Sequence, residues 1–440
     1  MINEVIEMKN ILYLLEFKVS GIKNIEKEIS LNFYKKTLSK QNNTDKYKIK
    51  AIYGENGSGK TAIITAVNIL KNIIIEGNYL GNPYNQKLLR ELVNKKTNSL
   101  DLEASFLDKT NNIIYTFKIE LVSQNDFFEI AHEKFSVKPG AYNNDNYRII
   151  YETKNGKLIK VDCINSNKEI IFENTFNLLK TQSFISIFPK YADEKILDDK
   201  TFVVDILSII IFSLMINVYL DEEDQHELYF LSNFIKEASH NISEKFNLED
   251  FEYFNSVSSN KIEKENFSYY KEKINRLCDF VRIFKKNLKS IDIEKKEDGQ
   301  FYICSLNMNY GDYKINKEFE STGIKKLIRL FDCFNDISNG GIVFIDEMDS
   351  NINGVYLCKL LEYFMSYCEG QLCFTTHNID PMSVLKKNRN SICFLSIDNT
   401  LKTWKINGNY SPEKSYKKGM IEDLPFNIEA EDFIGILGDE

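Results

Sequence analysis

The run Gly54-Glu55-Asn56-Gly57-Ser58-Gly59-Lys60-Thr61 fits the pattern GxxxxGK[ST] and is the part of this 440-residue chain best suited to grip a phosphate chain. Its glycines permit backbone angles that turn amide N–H groups inward around phosphate oxygens. Lys60 can neutralise β- and γ-phosphates, and the Thr61 hydroxyl can ligate magnesium. The setting agrees with that chemistry. Ile49 to Tyr53 reads as a strand ending at Gly54, and TAIITAVNILKNIII reads as a helix starting near Lys60. Such a helix adds the positive end of its dipole to the cradle.

Two further constellations would complete such a site. Ile342-Val343-Phe344-Ile345 is an all-apolar run that ends in Asp346-Glu347. A strand buried on both faces would place those carboxylates at its C-terminal edge, where ligands of α/β folds sit. Asp346 would hold magnesium through its water shell, and Glu347 would accept a proton from an attacking water. Apolar strands often end in acids, so this pair gains its meaning beside the glycine-rich loop. His377, in Phe374-Thr375-Thr376-His377-Asn378, follows another apolar run 31 residues beyond Asp346. There it could donate a hydrogen bond to a γ-phosphate, whereas a lone histidine is more often a satisfied core residue.

The elements that must position these residues have a mixed texture. Leu15, Phe17 and Val19 alternate, as do Ile29, Leu31 and Phe33, which predicts strands near the start. Leu100 to Phe106, Ile113 to Leu121 and Arg148 to Tyr151 predict more strands, and about 195 to 290 reads as helical. Inside that stretch Phe267, Tyr270, Ile274, Leu277, Val281, Phe284 and Leu288 repeat in steps of three and four. Such a stripe suits a helix packed on its own lobe, or a short partner-binding arm. After 290, Ile291 to Ile293 and Phe301 to Met308 predict strands, and Gly323 to Phe334 a helix. Leu372 to Thr375 and Ile392 to Leu395 predict buried strands. The alternation predicts an α/β fold whose parallel sheet is completed by both ends of the chain. Three parts are expected: 1–190 with the glycine-rich loop, a largely helical lobe over 191–290, and 291–440.

Bulk properties exclude several classes. Hydrophobic residues make up 43% and charged residues 27%, a globular composition. The net charge of -8 offers no global attraction to nucleic acid or an anionic membrane, though a local basic groove stays open. Eight cysteines lie between Cys163 and Cys393 with no CxxC pair, which suits reduced thiols in a cytoplasmic protein. MINEVIEMKN carries acids and lacks the features of a signal peptide. Phe202 to Leu220 approaches the length of a membrane span, yet it contains Asp205 and Asn217 and runs into DEEDQHE, so a buried helix is expected.

In order, GENGSGKT, ESTGIKKLIRLF, IVFIDEMDSNIN and FTTHN resemble the ABC-class ATPases related to SMC proteins, RecF and the OLD ATPases. The resemblance is nearest to the antiviral-defence and abortive-infection branch, with its PARIS, Septu and Gabija ATPases. It covers residues 10–70 and 300–430, and Tyr416-Lys417-Lys418-Gly419 with Leu424-Pro425 is similar to that branch's ending. It implies an ABC-type P-loop head with ATP and Mg2+ as cofactors. It also implies that Ser321 and Gly323 form the signature that meets the γ-phosphate of the opposite protomer. Asp349 would be the D-loop aspartate at the dimer seam, Glu347 the catalytic base and His377 the switch histidine. The signature here is STG followed by Ile324-Lys325-Lys326, unlike the transporter LSGGQ. Asn353 stands where histidine is common, and Gln182 is only a weak Q-loop candidate.

Carried to function, the resemblance implies an ATPase that closes on a second copy of itself and controls a separate toxin or nuclease in antiphage defence, with no membrane role. The alternative is a RecF-like repair ATPase that binds DNA. Lys60 and Asp346 lie 286 residues apart, so a large insertion divides the site.

Overall fold

Along the strand Ile49–Gly54 successive side chains enter two different cores. Ile52 packs into one, while Ile49, Ala51 and Tyr53 pack into the other. Ile342–Ile345 divides the same way, Ile342 and Phe344 against Val343 and Ile345. These strands belong to a six-stranded sheet buried on both faces, which is why they read as continuous apolar runs. Its order is Ile216–Tyr219, Ile342–Ile345, Gln371–Thr375, Ile49–Gly54, Ile392–Leu395 and Leu401–Thr403. The first five run parallel and the last antiparallel. Both ends of the chain therefore supply this sheet, as the sequence predicts. The computed structural model describes residues 12–36, 42–44, 46–140, 146–163, 178–191, 199–220, 257, 261–404 and 411–417.

On one face lies a seven-stranded antiparallel sheet. Its order is Lys157–Val161, Arg148–Lys154, Phe127–Pro139, Ile113–Gln124, Ser99–Asp108, Leu12–Ser20 and Ile29–Asn32. Between the two sheets run the helices Lys60–Ile75 and Lys200–Met215, whose apolar residues fill the first core. Phe212 of the second helix stacks on Phe106 of the sheet, ring centroids 4.2 Å apart. Phe202 to Leu220 is thus a buried helix followed by the edge strand Ile216–Tyr219, and no described helix is long and apolar enough to cross a membrane. Its Asp205 is paired: Arg148 donates at 2.5 Å and the Tyr115 hydroxyl at 3.0 Å.

On the other face the second core holds the helices Phe267–Phe284, Thr322–Ser338 and Gly354–Tyr367 beside a four-stranded sheet. That sheet joins Lys261–Glu263, Phe301–Asn309, Ser290–Asp298 and Lys314–Asn316. The heptad-like stripe is spent inside the chain: Tyr270, Ile274, Leu277, Val281 and Leu288 are buried here, and Phe267 and Phe284 pack against them. Within 191–290 the described residues form two helices and two short strands, and one of those strands edges the parallel sheet. This stretch is therefore partly woven into the head. MINEVIEMKN, DEEDQHE and the tail from Lys418 through Leu424-Pro425 lie outside the described residues.

Glu133, on the strand Phe127–Pro139, is wholly buried. Its carboxyl accepts from the Tyr151 hydroxyl at 2.5 Å, the Ser183 hydroxyl at 2.7 Å and the Phe184 N–H at 3.2 Å, tying the sheet to the helix Phe184–Tyr191. Burial pushes its pKa up from 4.5 to about 7, against the pull of these donors. Above the unfolded value the folded chain holds this proton and the unfolded chain does not, so its contribution is full below pH 4.5 and is lost as pH rises through about 7. Thermal melting from pH 5 to 8 should show wild type losing on the order of 3 kcal/mol at most from this group. Glu133→Gln should show a flatter profile; an equally steep one would refute the assignment.

Candidate active site

The loop between Ile49–Gly54 and Lys60–Ile75 is bent by two glycines in the left-handed region, Gly57 at φ 80° and Gly59 at φ 104°. Gly54 is fixed by space: a Cβ there would sit 2.5 Å from the Leu395 carbonyl oxygen and 2.7 Å from Ser58 Oγ. Ser58 Oγ is buried with no hydrogen-bond partner. The helix start has Gly59 as its cap, with no side-chain cap bond and no acid in the first turn. Unpaired first-turn amides, an orphaned hydroxyl and the Lys60 ammonium together fit a polyphosphate. Lys60 Nζ is held by the carbonyls of Gly54 at 2.9 Å and Glu55 at 2.8 Å. Asn24, from the turn between Leu12–Ser20 and Ile29–Asn32, donates to the Gly57 carbonyl at 2.7 Å and buttresses the loop.

The acids arrive from the neighbouring strands. Gln371–Thr375 lies between Ile342–Ile345 and Ile49–Gly54, with Phe374 opposite Ile345 and Thr375 opposite Ile52. The Thr375 hydroxyl donates to Asp346 Oδ1 at 2.5 Å and accepts the Glu347 N–H at 2.8 Å. One side chain thus sets both acids. Glu347 adopts φ 45°, a left-handed backbone rarely taken by residues other than glycine, and its side chain is exposed. Asp349 accepts the Asn378 N–H at 3.2 Å, and its Oδ1 is buried without a partner.

The charges of these groups act on one another. Burial lowers the pKa of Lys60, opposed by the carboxylates of Asp346, Glu347, Asp349 and Glu55. Burial also lowers that of His377, as does the Lys60 cation, while Asp349, Glu347 and Asp346 oppose them. Lys60, Asp346, Glu347, Asp349 and His377 therefore share one field at the C-terminal edge of the parallel sheet. Among the described residues no group of three or more His, Cys, Asp or Glu could hold a metal ion. Mg2+ needs only one or two protein oxygens beside water and phosphate, and Thr61 with Asp346 would supply them.

Ser321 stands at the N-cap position of the helix Thr322–Ser338 with no side-chain cap bond, and Ser321 and Thr322 are exposed. Among the described residues no hydrogen bond joins Ser321 or Gly323 to the loop 54–61. Glu320, just before them, accepts from the Lys285 ammonium at 3.0 Å, the Ser321 N–H at 3.2 Å and the Tyr310 hydroxyl. Gln182 lies in the turn before Phe184–Tyr191, its N–H bonded to the Leu178 carbonyl at 2.8 Å. Asn353 caps the helix Gly354–Tyr367 through the Val355 N–H at 2.9 Å. Asn24, Thr375 and Lys326 are site residues that motif reading passes over. Thr375 lies inside the quoted FTTHN and Lys326 inside the quoted ESTGIKKLIRLF, but neither pattern assigns them a role.

A family model described as "AAA domain, putative AbiEii toxin, Type IV TA system" matches residues 49–380. No curated protein matches the chain. Among solved structures, the Smc head domain with an extended coiled coil bound to the C-terminal domain of ScpA, from Pyrococcus furiosus, is 17% identical. That match covers 93% of this chain and 99% of the other at a TM-score of 0.41. The SMC head domain from Thermotoga maritima is 12% identical over 89% of this chain and 99% of the other, at a TM-score of 0.33.

Two substitutions probe the supports. Asn24→Ala should weaken ATP binding about three- to tenfold in a fluorescent-nucleotide titration, the scale of one lost hydrogen bond. Thr375→Val should lower turnover about ten- to hundredfold by freeing both acids, and unchanged steady-state hydrolysis would contradict this role.

Proposed function

Since the chain belongs to the AAA-domain family described as "putative AbiEii toxin, Type IV TA system", we propose that it is an ABC-class ATPase switch. ATP closes two copies against each other, and the closed state controls a separate toxin or nuclease effector in antiviral defence. The observation that carries the ATPase reading is the glycine cradle, with its orphaned Ser58 hydroxyl and Lys60, at the same sheet edge as Asp346 and Glu347, both set by Thr375. The family description and the order of the motifs support the defence setting.

In this reading the loop amides and Lys60 hold the β- and γ-phosphates, and Thr61 and Asp346 hold Mg2+. The ion, when bound, spreads the charge that develops on the phosphate oxygens. Glu347 takes the proton of a water as its oxygen bonds to the γ-phosphorus, and the bond to the bridging oxygen breaks with its electron pair passing to ADP. His377, whose neutral form is favoured by its surroundings, donates a hydrogen bond to the γ-phosphate. Exposed Ser321 and half-buried Gly323 meet the nucleotide held by the second copy.

Glu347→Gln should lower steady-state hydrolysis by about a hundredfold or more. Native mass measurement should still find the variant pairing when ATP is added. Turnover equal to wild type would sink the assigned base, and an unchanged mass with ATP would sink the closure. A co-expressed neighbouring gene product bound only in one nucleotide state would support the effector role, whereas salt-dependent DNA binding by the chain alone would favour repair.

A further inference from the structure

Lys326 lies one turn into the helix Thr322–Ser338 and is only 4% exposed. Its ammonium donates to the Glu347 carbonyl at 2.7 Å and to the Ser350 hydroxyl. It also lies 5.5 Å from the centre of the Tyr219 ring, on the edge strand that pairs with Ile342–Ile345. Its helix neighbours Ile324, Leu327 and Leu330 are buried and apolar, and a filler at this position would be apolar as well. A buried ammonium instead demands acceptors, and two of those it finds belong to the turn that carries the assigned base.

We propose that Lys326 is a positioning residue for Glu347, which it ties to the helix that begins at Ser321. This rests on the ATPase reading above. Glu347 holds a left-handed backbone, and such a conformation persists only where its surroundings over-determine it. Both sides of the residue are pinned: the N–H by Thr375 at 2.8 Å and the carbonyl by Lys326 at 2.7 Å. The Ser350 N–H also reaches that carbonyl, at 3.0 Å, closing the turn that Lys326 spans.

The same helix start is fitted to the far end of this turn. A Cβ on Gly323 would lie 2.6 Å from the Asn351 carbonyl oxygen, and the Thr322 hydroxyl is 3.4 Å from Asn351 Oδ1. Residues 347–351 and the first turns of Thr322–Ser338 therefore form one packed unit.

Steady-state hydrolysis by the full chain tests this. Lys326→Met should lower kcat about ten- to hundredfold while KM for ATP stays within about twofold. ATP-driven pairing should be retained in the Lys326→Met/Glu347→Gln double variant. Ser350→Ala, which removes one anchor and is easily accommodated, should lower kcat about two- to fivefold, again at constant KM. It decides the matter if Lys326→Met does not fold. Unchanged kcat in either folded variant, or a raised KM alone, would overturn the proposal. If Glu347→Gln itself turns over like wild type, it is the ATPase reading that fails instead.

Discussion

Asp346 and the loop that holds Lys60 follow two strands separated by a third, and that strand, Gln371–Thr375, has to sit in a single register for the site to exist. Its Thr375 lies opposite Ile52 on one side, and its Phe374 lies opposite Ile345 on the other. A slip of one residue would reverse every side chain and turn the Thr375 hydroxyl away from both acids. The register is enforced by burial. Leu372 and Phe374 belong to one core and Cys373 to the other, so neither face tolerates the reversed pattern. Apolar packing on the two faces of the sheet thus decides where two carboxylates stand.

Burial on both faces also explains why this part of the fold was legible in the sequence. Ile342 to Ile345, Leu372 to Thr375 and Ile392 to Leu395 are short apolar runs, and each is a strand of the parallel sheet. The loop 54–61 was legible because its chemistry fixes residue types at fixed spacing. Asn24 and Lys326 were not, since each acts through a contact made by tertiary packing. Asn24 meets Gly57 from a turn 33 residues upstream, and Lys326 meets Glu347 from a helix 21 residues away. An isolated asparagine or lysine in a polar turn or an amphipathic helix has nothing to distinguish it from a solvated one.

The middle of the chain shows how an ambiguous pattern is resolved. The stripe from Phe267 to Leu288 could serve a partner or the chain's own core, and period alone cannot separate these uses. The four-stranded sheet and the helix Thr322–Ser338 cover it. Similarly, Phe202 to Leu220 has nearly the apolar length of a span, but Asp205 is neutralised in place by Arg148 and hydrogen-bonded by the Tyr115 hydroxyl. A charge that the sequence shows as a defect is, in the fold, a link between helix and sheet.

Lys285 follows the last turn of the helix Phe267–Phe284, and its ammonium holds Glu320, whose carboxylate in turn holds the Ser321 N–H. Glu320 is nearly enclosed, so this grip is not a loose surface pair that water can replace. The end of that helix is therefore tied to the exposed lip at Ser321 through one enclosed carboxylate, and no residue of the glycine cradle takes part in the tie.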